Sequence, residues 1–188
     1  MKKMSTLFKV DYHKKGDPGI IHNQVRSENL WVYTEEGVIP TQKFDGTACA
    51  VIDKLLYKRY DAKPGKEIPE GAIPCQEPDP ISGHHPHWVR ISHSNPADKY
   101  FFEALASEEN ILVDGTYELC GPKVGGNKEK LREHKLIKHG NVILDLPIHP
   151  SFNTIKDYLS SHDIEGIVFH GKDGKMCKIR KTDFNLKR

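Results

Sequence analysis

Two apolar runs, Ile164–Phe169 and Met176–Lys181, flank the turn Gly171-Lys172-Asp173-Gly174, and this pairing constrains the fold more than any other stretch of the chain. Val, Ile and Phe on one side and alternating apolar and basic residues on the other predict an antiparallel hairpin. Successive strand side chains point to opposite faces, so Lys178 and Arg180 share one face while Cys177 and Ile179 take the other. Such a strand needs a core beneath it and a use, or water, for its cations. A second hairpin is predicted from Ala48–Asp53 and Leu55–Arg59, rich in Val, Ile, Leu and Tyr. Ile21–Gln42, after a turn at Glu36-Gly37, delivers a strand into Lys43. Ile111–Val113 and Thr116–Cys120 read as strands around Asp114-Gly115. Asn95-Pro96-Ala97-Asp98 is a helix start running to about Glu109, with a capping side chain and Pro in the first turn. Asn153–Ser161 places Ile155, Tyr158 and Leu159 at helical spacing. Asp61–His87, dense in Pro and Gly, reads as a long functional loop. The simplest assembly is one α+β domain, residues 1–188, dominated by antiparallel strands.

With 188 residues and 37% hydrophobic content, the chain can bury a real core. No apolar run approaches the ~20 residues a membrane helix needs, and no signal-like segment follows Met1-Lys2-Lys3, so a cytoplasmic protein without membrane association is expected. Cys49, Cys75, Cys120 and Cys177 are scattered without a CxxC pair, which predicts reduced, packed thiols rather than a zinc site. The net charge of +2 is uninformative, but its distribution is not. Lys172–Arg188 holds seven basic residues against two acidic ones, and Lys123–Lys138 is also basic. These stretches are either solvated faces or a track for phosphates.

Chemistry concentrates at Lys43-Phe44-Asp45-Gly46-Thr47. A lysine attacks phosphorus only as the neutral amine, which neighbouring cations and partial burial favour. Lys178, Arg180 and Arg59 are the cations available if the strands converge. Asp45 would orient the amine, and Gly46 would allow a tight turn and close backbone approach to a phosphate. Gln42, adjoining Lys43, joins the nucleotide-binding candidates. The bland alternative is a strand-to-strand turn with an exposed lysine. Lys178 and Arg180 suit a triphosphate, one holding the α-phosphate and the other the departing pyrophosphate; the alternative is an exposed basic edge strand. Lys181 falls on the other face and ranks below Arg180. Glu165, opening its strand, is the candidate ligand for Mg²⁺ or Mn²⁺, and Glu118 on a third strand is a candidate acceptor for ribose hydroxyls.

Taken together, these segments resemble the covalent nucleotidyltransferases: ATP-dependent DNA and RNA ligases and mRNA capping enzymes. The resemblance spans roughly Thr41 to Phe184. Lys43-Phe44-Asp45-Gly46-Thr47 is similar to the first motif of that family, whose lysine becomes adenylylated. Arg59 resembles the arginine that follows it, Glu118 the third-motif ribose carboxylate, Glu165-Gly166-Ile167-Val168-Phe169 the fourth motif, and Lys178-Ile179-Arg180-Lys181 the fifth. Arg180 stands where many members carry a second lysine, replacing a point charge with a forked donor. The aromatic group that should stack on adenine is left among Tyr117, His134 and His139. The resemblance implies an antiparallel-rich adenylation domain, ATP and Mg²⁺ (or Mn²⁺) as cofactors, and AMP carried covalently on Lys43. Few residues follow the fifth motif, so no C-terminal oligonucleotide-binding barrel is expected. That favours an RNA ligase acting on 5′-phosphate and 3′-hydroxyl ends over a DNA ligase or capping enzyme. A catalytically silent RNA-binding module is the alternative from another class.

Asp79–Trp88 holds His84, His85 and His87 without the spacing of a known zinc pattern, so a structural or substrate-lining loop is expected. The segment resembles one in the small vertebrate-type 5′-to-3′ RNA ligases, which share the Lys-x-Asp-Gly-Thr start. Gly121–Lys128 is not a Walker loop, because Asn127 follows Gly126 where lysine is required.

Overall fold

The structure, a computed structural model, describes residues 3–11, 19–80, 82–107 and 113–188. In chain order its strands and helices are β1 (Ser5–Thr6), β2 (Phe8–Asp11), β3 (Ile20–Val25), α1 (Trp31–Thr34), β4 (Ile39–Lys43), β5 (Thr47–Ile52) and β6 (Leu55–Ala62). There follow β7 (Ile73–Pro74), β8 (His85–Arg90), α2 (Lys99–Ser107), β9 (Gly115–Cys120), β10 (Lys135–Lys138), α3 (Phe152–Ser161), β11 (Gly166–His170) and β12 (Met176–Arg180). The chain is thus α+β with mostly antiparallel pairing, and none of its sheets closes into a barrel among the described residues. Two compact units are formed, Lys3–Phe44 with Gly140–Arg188, and Asp45–His139.

In the first unit the sheet order is β1-β12-β11-β4. The predicted β11–β12 hairpin is present, in register from Gly166 opposite Arg180 to His170 opposite Met176. Its connection is a 3₁₀ turn, Lys172–Gly174, in which Asp173 takes φ 57° and Gly174 φ 71°. Ile167, Phe169, Cys177 and Ile179 fill the inner face and pack with Leu7, Phe8, Val32, Ile155 and Leu159. Each such side chain, when fully buried, stabilises the fold by roughly 1.5–3 kcal/mol. Helix α3 presents Ile155 and Leu159 to this core, and its start is fixed by the Ser151 hydroxyl accepting the Thr154 N–H at 3.1 Å. Strand β12 is not an exposed edge: β11 pairs it on one side and β1, in parallel, on the other. β2 and β3 form a separate antiparallel pair.

The second unit is a six-stranded antiparallel sheet ordered β10-β9-β5-β6-β8-β7. Helix α2 follows a 3₁₀ turn, Pro96–Asp98, where Asn95 Oδ1 accepts the Ala97 N–H at 3.1 Å, the cap expected from sequence. Phe101 and Ala104 on α2 pack with Cys49, Leu56, Tyr117, Leu119 and Leu136. Asp98, only 1% exposed, binds Lys58 Nζ at 2.5 Å and the Ser92 N–H at 3.0 Å. That buried carboxylate pins the helix start to β6.

Between Asp61 and His87 the chain is not the single long loop expected from sequence. β6 continues to Ala62, and His85–Arg90 is strand β8 rather than loop, paired to β6 from Ala62–His85 to Tyr57–Arg90. Burial of Pro86, His87 and Trp88 drives the pairing despite their weak local β signal. β10 was also not anticipated within the basic stretch. The predicted helix end at Glu109 and most of Ile111–Val113 lie outside the described residues; Val113 itself is exposed. All four cysteines are free, and burial pushes the Cys177 thiol up to about 12. Among the described residues no helix is long and apolar enough to cross a membrane.

Candidate active site

Strand register gathers three of the candidate cations in the first unit. Lys43 on β4 lies opposite Gly166 on β11, which lies opposite Arg180 on β12. Two pairs along, Thr41 is opposite Val168 and Val168 opposite Lys178. Directly paired residues share a face, so Lys43, Lys178 and Arg180 all project from the face opposite the core. Gln42, paired with Ile167, alternates to the core side, away from the Lys43 side chain.

Glycine at 166 is required by close approach. A Cβ there would lie 2.3 Å from the Ile179 carbonyl oxygen and 2.9 Å from Arg180 Cα. Glu165, just before β11, places its carboxylate 2.5 Å from Lys43 Nζ, with both side chains about one-fifth exposed. Its backbone oxygen accepts the Lys181 N–H, which locks the end of β12 to the start of β11. Arg180 is forked onto Asp183: Nη2 donates to Oδ1 at 2.7 Å, Nε to Oδ2 at 3.3 Å, and the Arg180 N–H to Oδ2 at 2.8 Å. The buried Asp183 explains why the position suits arginine, since an ammonium cannot make that two-pronged contact. Asp183 is not among the candidates read from sequence; its only signal is an acid three residues beyond Arg180, within the turn Lys181–Phe184. Lys181 is buried at 6% exposure and begins that turn.

The electrostatics of this face fall on Lys178. Burial first, then the cations Arg180 and Lys43, hold its pKa down from 10.5 to about 8, against the opposing pull of Glu165 and Asp183. Its neutral form is therefore accessible close to physiological pH, and an incoming anion would restore its charge.

The second unit carries Asp45, Gly46, Arg59 and Glu118. The Asp45 N–H donates to Glu129 Oε1 at 2.9 Å. Gly46 has no positive φ; its glycine is required because a Cβ would stand 2.2 Å from the Leu119 carbonyl oxygen and 2.8 Å from Cys120 Sγ. The turn expected there is thus a close packing of β5's entry against β9. Glu118, 9% exposed, accepts the Gly46 N–H on Oε1 at 3.2 Å and His139 Nε2 on Oε2 at 2.9 Å. Arg59 on β6 donates from Nε to Asp61 Oδ1 at 3.0 Å. Of the aromatic candidates, Tyr117 is buried with its hydroxyl donating to the Val113 carbonyl at 2.7 Å. His134 is buried and stacked on Tyr100, whereas the His139 side chain keeps 22% exposure. His87 is buried, its Nδ1 donating to the His85 carbonyl oxygen at 2.8 Å.

As a cation site, Glu165 is a single carboxylate, and among the described residues no three His, Cys, Asp or Glu side chains cluster as a metal cage. One carboxylate plus substrate phosphates is a donor set that suits Mg²⁺, which retains several waters and rarely uses an all-protein cage.

No protein-family model matches the chain. It is similar to curated proteins named RNA ligase 1. The protein of that name from Pongo abelii is 26% identical over 79% of this chain and 67% of its own length. The one from Rattus norvegicus gives the same three figures. That from Danio rerio is 26% identical over 56% of this chain and 42% of its own.

Proposed function

We propose that this chain, a homologue of the proteins named RNA ligase 1, is an ATP-dependent RNA ligase that works through an AMP adduct on Lys43 within an adenylation domain. The observation carrying this reading is the convergence of Lys43, Glu165, Lys178 and Arg180 on one sheet face. A nucleophilic lysine hydrogen-bonded to a carboxylate, with two further cations on the same sheet face, suits displacement at a phosphorus atom.

In the first step neutral Lys43 Nζ attacks the α-phosphorus of ATP. A nitrogen–phosphorus bond forms, the bond to the β-phosphate oxygen breaks, and pyrophosphate leaves. As that bond forms, the nitrogen passes its surplus proton to the Glu165 carboxylate, to which it is already hydrogen-bonded. Lys178, recharged by the incoming phosphates, stabilises the α-phosphate, and Arg180, oriented by Asp183, meets the pyrophosphate. Glu165 is the residue that would hold Mg²⁺ or Mn²⁺, which when bound neutralises charge on the transferring phosphoryl group. In the second step an oxygen of an RNA 5′-phosphate displaces the Lys43 amine and takes AMP. In the third a 3′-hydroxyl attacks that 5′-phosphorus and AMP departs, leaving a phosphodiester. Glu118 accepts ribose hydroxyls, Arg59 contacts phosphate or ribose, and Asp45 orients the amine; these three roles rest on the family resemblance.

The test offers the pre-adenylylated protein single-stranded RNA, nicked RNA and nicked DNA, each with 5′-phosphate and 3′-hydroxyl ends. Sealing of at least one RNA substrate is expected. Efficient sealing of DNA nicks with neither RNA joined would overturn the RNA assignment, and leave the lysine chemistry in place.

A further inference from the structure

The second unit contains a hydrogen-bonded chain of Thr116, His139, Glu118 and Gly46, of which the proposed chemistry uses only Glu118. Thr116 and Glu118 lie two residues apart on β9 and so share a face; His139, just beyond β10, spans both. Its backbone N–H donates to the Thr116 carbonyl oxygen at 3.0 Å, which fixes where the ring starts. Nδ1 lies 3.0 Å from Thr116 Oγ1, and Nε2 lies 2.9 Å from Glu118 Oε2. A carboxylate only accepts, so Nε2 carries the proton, and the Thr116 hydroxyl can donate to Nδ1. The partners thereby set both the tautomer and the ring orientation.

Glu118 is held at each oxygen by a different group, the Gly46 N–H and His139. A carboxylate has about four lone-pair positions, so two remain for a ligand, and their directions are set by the two bonds already made. Removing the His139 bond releases the carboxylate to rotate while leaving the Gly46 bond, the strand pairing and the packed core as they are.

We propose that His139 is a positioning residue for nucleotide-sugar selection: by orienting Glu118, it determines discrimination between ribo- and 2′-deoxyribonucleoside triphosphates. This rests on the reading above in which Glu118 accepts ribose hydroxyls. Without an oriented acceptor the 2′-hydroxyl gains little over hydrogen, so the loss falls on ATP and spares 2′-deoxyATP.

The experiment measures the rate of covalent adduct formation against nucleotide concentration, with ATP and with 2′-deoxyATP, in wild type, His139→Ala, His139→Gln and Glu118→Ala. His139→Ala should lower the ATP:2′-deoxyATP preference by about tenfold, the scale of one oriented hydrogen bond to a charged group. His139→Gln, whose amide nitrogen can stand near the position of Nε2, should recover most of it. In Glu118→Ala the preference should already be lost, and adding His139→Ala should reduce it no further. An unchanged preference in His139→Ala, even with a slower overall rate, would overturn the proposal and leave the ligase reading standing. A wild-type protein that forms an adduct with neither nucleotide overturns both.

Discussion

At the scale of single residues, the face bearing Lys43 owes its character to the neighbours of each cation. Lys178 carries the clearest electrostatic consequence. Its charged form is disfavoured in the folded protein, so the cost is fully present below pH 8 and disappears as pH rises from about 8 towards 10.5. Lys178→Met should therefore stabilise the nucleotide-free protein at pH 7, with the gain shrinking at pH 9.5, as read from urea midpoints at the two pH values. An equal gain at both would place the effect in packing rather than charge. Nucleotide binding should respond the other way, because the same variant lacks the charge offered to the phosphates. Arg180 differs in kind, since its guanidinium is spent partly on Asp183. Arg180→Lys keeps the charge but loses the fork, and should slow adduct formation by about tenfold, the worth of a charge-assisted contact. A rate equal to wild type would show that charge alone matters at this position.

At the scale of elements, the sheet β1-β12-β11-β4 brings distant segments of sequence together. Its hairpin was legible in the sequence because Gly171–Gly174 sits between two runs of strand periodicity, and so was the division of β12 into a cationic and an apolar face. The partner on the far side, β4, was legible only as a strand; its register against β11, which sets Lys43 opposite Gly166, depends on pairing across more than a hundred residues. The same limit hid His139's bond to Glu118, whereas Asp183's fork onto Arg180 is local and was missed because the sequence does not mark the turn that brings the two side chains together. Strand β8 was missed for another reason: Pro86 and three nearby histidines give little β signal, and burial against β6 outweighs it. Gly166→Ala tests the role of register. Its Cβ would press on backbone atoms of β12, so the variant should lose at least about 2 kcal/mol of stability in chemical denaturation. Adduct formation should fall further than stability explains, because the Lys43–Arg180 alignment passes through that residue. A variant of normal stability and activity would mean that the strands can part without consequence.

At the scale of the whole molecule, the chain combines an α+β architecture, similarity to proteins named RNA ligase 1, and one sheet face on which a lysine, a carboxylate and two further cations converge. The basic stretches noted in the sequence divide between the two units: Lys123–Lys138 belongs to one and Lys172–Arg188 to the other. What unites these observations is the claim that Lys43 becomes covalently charged with AMP. Intact-protein mass spectrometry after incubation with ATP and Mg²⁺ tests that claim most directly. The account predicts a species heavier by one AMP, removed by acid and absent in Lys43→Ala. A wild-type mass that does not change, or an adduct of undiminished yield in Lys43→Ala, would contradict it.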